Sequence, residues 1–365
     1  MQRTLAITRL AAGLAGAGVL ACSSSADPAT APSTPLTAAA ALPTLTPQRS
    51  GTTNRLQAVD PLNRNVVWAS GIGGTFVVTT DGGQHWRKGV VAGASKLEFR
   101  DVEGVSANVA YLMSSGPGSD SRIYKTTNGG NTWSLQFQNK KENAFYDCFD
   151  FWTPQRGLAF SDPVDGRFPV LRVTDGRHWQ DIGDRLPRAV PGEFGFAASG
   201  TCIATQGDQR AWITTGGSNV ARVLATTDGG QTWHAYDTPL VSNPSAGGFT
   251  IAFRNASNGI VAGGDLTPWH PHPRARIATS DDGGKTWSLV RTPPFDGAVF
   301  GLSYVPEGGR LVVITGPGGA AWSRTEGEEG WTTLAGVENF WAVAFADEHS
   351  GWLVGTDGRI LKVSF

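Results

Sequence analysis

A β-propeller of seven four-stranded antiparallel blades is the fold that this 365-residue sequence predicts, and three observations predict it. The first is composition: 48 Gly, 13 Trp and only 17% charged residues. That mixture suits many short strands joined by Gly-bearing turns and anchored by aromatic rings. The second is a repeated turn, "TTDGGQHW" from Thr79, which returns as "TTNGGNTW" from Thr126, "TTDGGQTW" from Thr226 and "SDDGGKTW" from Ser280. A copy one residue shorter, "TDGRHW", ends at Trp179. The third is spacing. Aligned on Trp86, Trp133, Trp179, Trp233, Trp287 and Trp331, the copies lie 47, 46, 54, 54 and 44 residues apart, the period of a propeller blade.

Within each period the same order recurs. An inner strand such as "NAFYDCFDF" or "NFWAVAFAD" is followed by a second strand such as "VVWASG" or "GWLVGT". A third strand then ends in Thr or Ser, and the repeated turn leads into a Trp-bearing outer strand. The runs alternate β-branched and aromatic residues and are cut by Gly and Asp every few positions, which excludes a solenoid of helix pairs. Six blades carry their own Trp strand, although the sixth turn, "SRTEGEEGW", departs from the motif. The seventh blade begins near Asn339 and reaches Phe365 after three strands. An unclosed ring would leave unpaired edges. The segment Leu42–Gly51 is therefore expected to pair with "ILKVSF" and supply the missing outer strand. A six-bladed ring with a C-terminal hairpin is the alternative.

Before the propeller, residues 1–21 read as a targeting signal. Arg3 and Arg9 precede the apolar run "LAAGLAGAGVLA", which is too short to span a bilayer. The junction "VLAC" resembles a bacterial lipoprotein processing site, with Cys22 the lipidated residue. Residues 22–41, rich in Ser, Ala, Thr and Pro, read as a flexible tether, and residues 42–365 as the propeller. The expected location is the bacterial cell envelope, lipid-anchored on the periplasmic side of the outer membrane, or secreted. Cys148 and Cys202 fall on inner strands of neighbouring blades, where a disulfide and two buried thiols are equally open readings. A net charge of −1 without a basic block argues against a nucleic-acid partner.

Each position of the repeated turn has a structural use. The carboxylates of Asp81, Asp175, Asp228 and Asp282, and the amide oxygen of Asn128, can accept backbone N–H bonds inside a tight turn. Gly83, Gly230 and Gly284 permit positive φ. The five tryptophans Trp86, Trp133, Trp179, Trp233 and Trp287 are expected to pack on their hairpin or on the next blade. One carboxylate per turn falls far short of the six to eight oxygens calcium prefers.

The motif resembles the Asp-box repeat of bacterial neuraminidases, and the resemblance runs over roughly residues 50–365. It implies the propeller but not an activity, since sialidases, xyloglucan-cleaving glycosidases, sorting receptors and photosystem II assembly factors all carry it. The unit "FADEHSGWLVGTDGRILKVSF" is similar to those of photosystem II stability/assembly-factor-like propellers. Relatives outside photosynthesis are often exported, and some carry an oxidoreductase label. That resemblance implies a scaffold that binds another protein.

Ligand chemistry is expected opposite the Asp-box turns, on loops leaving the inner strands and turns between second and third strands. Two insertions enlarge that face: "FSDPVDGRF", with Asp162, Asp165 and Arg167, and "GGDLTPWHPHPRAR", with Asp265, Trp269, His270, His272 and Arg274. Glu193 in "PGEFGF" adds a further acid. His270 and His272 with Asp265 make a mixed metal site conceivable, but a solvent-facing loop is the plainer reading, and no metal or cofactor is expected. A glycosidase needs two carboxylates across a cleft, for which Asp162, Asp165, Glu193 and Asp265 are the candidates. The sialidase Phe/Tyr-Arg-Ile-Pro signature is absent, and no dinucleotide, haem or iron–sulfur motif supports oxidoreduction. The reading is a monomeric, lipid-anchored, non-catalytic scaffold for a protein or glycan in the envelope. The alternative is a carbohydrate-active hydrolase.

Overall fold

The computed structural model describes residues 42–267 and 275–365, and residues 42–365 form one compact unit. The signal, the tether and Cys22 lie outside the described residues, as do Trp269, His270, His272 and Arg274. Among the described residues the strands form seven four-stranded antiparallel sheets. Six are continuous in sequence, and blade 1 sets the pattern with Leu56–Pro61, Val67–Gly71, Thr75–Thr79 and Arg87–Val90. The inner strands of blades 2 to 6 are Phe99–Gly104, Tyr146–Thr153, Ile203–Gln206, Ala246–Phe253 and Gly301–Tyr304.

Blade 7 is composite. Phe340–Asp347, Ser350–Gly355 and Arg359–Ser364 come from the C-terminal end, and Thr44–Arg49 pairs antiparallel with the last of them. The ring thus closes through the expected N-terminal strand. The six-bladed alternative is excluded.

Among the described residues the second strand is fully buried in five blades and the third in three, because their β-branched and aromatic residues face neighbouring sheets on both sides. Each Asp-box tryptophan packs on the blade before its own, not the next one. Trp133 of blade 2 meets Trp68 and Phe76 of blade 1 edge-on at 6.1 and 5.1 Å. Trp233 of blade 4 lies among Leu158, Phe160 and Phe168 of blade 3, and Trp86 reaches Trp352 and Ile360 of blade 7.

Within the turns, the Thr79 hydroxyl donates to Asp81 at 2.8 Å and accepts the Gly83 N–H at 2.9 Å, while Asp81 accepts the His85 N–H at 2.9 Å. Ser280, Asp282 and Gly284 repeat the arrangement, and Asn128 accepts the Thr132 N–H with its amide oxygen. In the degenerate sixth turn Ser323 still holds the Gly327 N–H at 2.9 Å, and Thr325 takes the aspartate's place. Gly83, Gly230 and Gly284 sit at φ of 86, 83 and 86°, where only Gly is unstrained.

The inner strands carry a device that sequence reading missed. Asp60, Asp101 and Asp150 each reach across to the neighbouring blade, accepting the N–H groups of Gly104 at 2.6 Å, Phe149 at 2.7 Å and Thr205 at 2.6 Å. Burial pushes these carboxyls up, against the pull of the N–H bonds: Asp60 to about 7, Asp150 to about 6, and Asp101 well above the usual range. Such a group loses its proton first in the unfolded chain, so its stabilisation falls away between pH 4 and 7. Asp81 and Asp228 act oppositely. The His85 N–H holds Asp81 at about 2, and hydrogen bonds from Thr232, Thr226 and Gln231 outweigh burial to hold Asp228 at about 2. Their contribution is lost only below about pH 4. Stability should therefore peak near pH 4–5 and drop by about 2 kcal/mol towards pH 8, allowing for partial exposure to the channel. Urea midpoints at pH 5 and pH 8 check this, and Asp60→Asn should flatten the difference. A higher midpoint at pH 8 would contradict it.

Candidate functional site

The Asp-box turns and the loops leaving the inner strands share one face. The Gly82 N–H donates to Asn65 at 3.0 Å, and Gly129, Gly176, Gly229 and Gly283 bond the corresponding loops at 2.8–2.9 Å. This corrects the expectation above: the opposite face is made by loops leading into the inner strands and by turns between second and third strands.

On that opposite face, at the ring axis, lies a cavity of about 400 Å³ to which all seven blades contribute. It has two unlike sides. Blades 4 to 7 supply a chain of rings in contact, Phe194–Phe196–Phe249–Phe300–Trp341, with successive centroids 4.8, 4.1, 5.9 and 5.5 Å apart. Blades 1 to 3 supply polar groups: Arg55 and Gln57, Arg100, and the acids Asp147 and Asp162. Arg100 donates to Glu98 at 3.0 and 2.8 Å and to the Ala197 carbonyl at 3.1 Å. Arg55 lies 5.0 Å from the centre of the Trp341 ring and 3.8 Å from Glu98. Burial, reinforced by the neighbouring Asp162 charge, pushes Asp147 well up, and Arg100 offsets this only in part. Burial also raises Asp162 to about 6, although its carboxylate accepts the Gly195 N–H at 2.8 Å.

Of the residues singled out from sequence, Asp162 lines this cavity. Asp265 stands one step away, accepting from Asn243 at 3.0 Å and from Ser245 at 2.6 Å, and Ser245 lines the cavity itself. Burial works against ionisation of Asp265, but hydrogen bonds from Asn243, Ser245 and Thr267 prevail and hold it at about 2. Glu193 is buried behind the wall: its two oxygens bind Arg222 at 2.9 and 2.5 Å, and the carboxylate also accepts from Thr215 and the Val190 N–H. That carboxylate is a structural ion-pair partner, unavailable as an acid or nucleophile. Asp165 is exposed at φ 54°, followed by Gly166 at 72°, in a hairpin closed by Val164 and Arg167. Arg167 turns to Asp181 and Asp184, at 3.3 and 2.5 Å. The structure therefore does not assemble these four acids into a facing pair. Among the described residues no cluster of three or more His, Cys, Asp or Glu side chains is arranged to hold a metal ion.

Cys148 and Cys202 are bonded, Cα to Cα 6.0 Å, joining blade 3 to the approach to the inner strand of blade 4. The next residue outward from Cys148 is Asp147, so the bridge ties the polar side of the cavity to its aromatic side.

Fold and turns together define the class: an Asp-box repeat β-propeller of seven blades. Two of its turns, at residues 224–235 and 278–289, match the BNR/Asp-box repeat. The chain resembles the photosystem II assembly factors of this class. Over 224 residues, 57% of this chain, it is 28% identical to the photosystem II assembly lipoprotein Ycf48 of Nostoc sp., covering 55% of that protein. The chain thus spans about half the length of the curated relatives it matches. Among solved structures it is similar to "YCF48 bound to D1 peptide", with a TM-score of 0.62, 18% identity, and coverage of 88% of this chain and 97% of that one. It is also similar to YCF48 from Cyanidioschyzon merolae, with a TM-score of 0.59, 16% identity, and coverage of 88% and 98%. At such identities these two likenesses establish the fold.

Proposed function

We propose that this protein is a non-catalytic scaffold that holds a segment of another protein on the face bearing the axial cavity. The observation that carries the reading is the two-sided cavity, with ring-stacked aromatic residues along one arc and polar groups along the other. Large rigid rings beside a few placed polar groups make a good docking surface. The reading is supported by the names of the relatives, which are assembly proteins, one of them in complex with a peptide. The commitment of Glu193 to Arg222 weighs against the hydrolase alternative. We further propose a monomer held by lipid on Cys22 in the bacterial envelope, which the "VLAC" junction supports. Cys22→Ser should then move the chain from the membrane to the soluble fraction.

Photo-crosslinking tests the docking face. A benzoylphenylalanine replacing Trp341 should capture a discrete partner in envelope extracts, whereas one replacing Asn131 on the Asp-box face should not. Equal capture from both positions, or none from position 341, would refute the reading.

A further inference from the structure

The cavity's polar arc holds three buried atoms without a hydrogen-bond partner among the described residues: the donor Arg55 Nε and two acceptors. Asp147 is 1% exposed and Gln57 is 2% exposed, yet Asp147 Oδ2 and Gln57 Oε1 have no hydrogen-bond partner among the described residues, and both residues line the cavity. Buried polar atoms are normally satisfied, and leaving one unpaired is costly, so several in one cavity point to a ligand. Asp147 Oδ2 and Gln57 Oε1 are acceptors, while Arg55 Nε belongs to a guanidinium already placed on Trp341 and near Glu98. An anionic or acceptor-rich group placed there would leave the two acceptors unpaired. A donor-rich group would satisfy them.

We infer that the cavity binds a cationic guanidinium or alkylammonium group, with its N–H donors on Asp147 and Gln57 and its charge over the aromatic arc. This rests on the docking reading above and names the chemistry of the docked group. Three further observations agree. First, the arc already receives a cation from within the chain, since the Arg55 guanidinium lies 5.0 Å from the Trp341 ring centre. Second, the charges of the resident cations are already offset, Arg100 by Glu98 and the Ala197 carbonyl, and Arg55 by the Trp341 ring and by Glu98 at 3.8 Å, although Arg55 Nε has no hydrogen-bond partner among the described residues. Third, Arg55 and Arg100 share this arc with Asp147, Asp162 and their partner Glu98, so with every acid ionised the group carries one negative charge in excess. An incoming cation balances it.

Protonation follows from the same geometry. Burial and the neighbouring Asp162 push Asp147 well above the usual carboxylate range, with Arg100 the opposing charge from blade 2. Arg55 is the other ionisable group reaching in, from blade 1, while the segment Phe194–Ala198 of blade 4 contributes none. An arriving cation supplies the missing counter-charge, so binding favours the ionised Asp147 carboxylate, and any proton it carries leaves to solvent.

The test uses the full chain in detergent and titration calorimetry at pH 7. The probes are acetyl-Gly-Arg-Gly-amide, the same peptide with Leu or Glu in place of Arg, and spermidine. The Arg peptide should bind at least tenfold more tightly than the Leu and Glu peptides. Two buffers of different ionisation enthalpy should show up to one proton released per complex. Asp147→Asn should weaken binding at least tenfold and abolish the proton release. If Asp147→Asn does not fold, Gln57→Leu takes its place with the same expected loss of affinity. Tighter binding of spermidine than of the Arg peptide supports the inference and assigns the cation to a free amine; the reverse assigns it to a protein side chain. Equal affinity for the Arg, Leu and Glu peptides, or an Arg affinity unchanged by the substitution, overturns it. In that event partner capture from position 341 still decides the docking reading by itself.

Discussion

Deleting Leu42–Gly51 should abolish the cooperative unfolding of this propeller and drive it to associate through the exposed edge of blade 7. The strand is only six residues long, but it is the outer strand of that blade, paired residue for residue from Thr44↔Ser364 to Arg49↔Arg359. Its side chains also bridge the seam where the ends of the chain meet. Gln48 Oε1 accepts both indole N–H groups, from Trp86 of blade 1 and Trp352 of blade 7, each at 3.1 Å, and its amide donates to the Gly82 carbonyl at 3.0 Å. The Ser50 hydroxyl donates to the Gly358 carbonyl at 2.6 Å. Losing the acceptor for a buried donor costs about 1–3 kcal/mol, so Gln48→Leu alone should cost about 2–4 kcal/mol. Removing the whole strand adds the lost ladder and an open edge, a sum comparable with the total stability of about 5–15 kcal/mol typical of a domain. Calorimetry and size-exclusion chromatography of the truncated chain measure this. A monomer melting within about 3 °C of the full chain would show that the ring closes without its N-terminal strand.

The same closure explains why the fold was legible in the sequence. A repeat counted by its tryptophans, one outer strand short at one end and preceded by a spare strand-length segment, has few ways to satisfy its edges. The Asp-box turns were legible because each is local: Thr79, Asp81 and Gly83 satisfy one another within five residues. The axial cavity was not, for the opposite reason. Its rings come one or two at a time from positions in or before four inner strands, where Phe249 or Phe300 reads as an ordinary core residue. Asp147 sits inside "YDCFDF", where sequence shows a strand but not that one carboxyl oxygen lacks a donor. The first of the two insertions is explained locally. "VDGR" is a hairpin whose Asp165 and Gly166 take positive φ, and Arg167 serves an ion pair on the outer strand of its own blade. Among the described residues of the two insertions, Asp162, at the base of that hairpin, and Leu266 line the cavity.

Replacing both Cys148 and Cys202 by Ala should cost about 4 kcal/mol of stability. The two residues are 54 apart in sequence, and cross-linking a loop of that length removes unfolded-state entropy worth about 4 kcal/mol at 25 °C. Native-state effects add to this figure rather than offset it. Both cysteines are buried, at 0% and 1% exposure, so removing the sulfurs also leaves unfilled space beside Phe160 and Ile203. The inter-blade N–H bond that Asp150 accepts from Thr205 survives the substitution and should hold blades 3 and 4 in register, so the variant folds but unfolds earlier in urea. The cavity should respond as well. Its polar and aromatic arcs meet at this seam, where Gly195 of blade 4 donates to Asp162 of blade 3 at 2.8 Å, and slack between the blades reaches that bond first. A loss below about 1 kcal/mol would mean that packing, not the covalent link, joins blades 3 and 4. The expected loss of about 4 kcal/mol with unchanged crosslinking from position 341 would place the docking surface entirely on the aromatic arc.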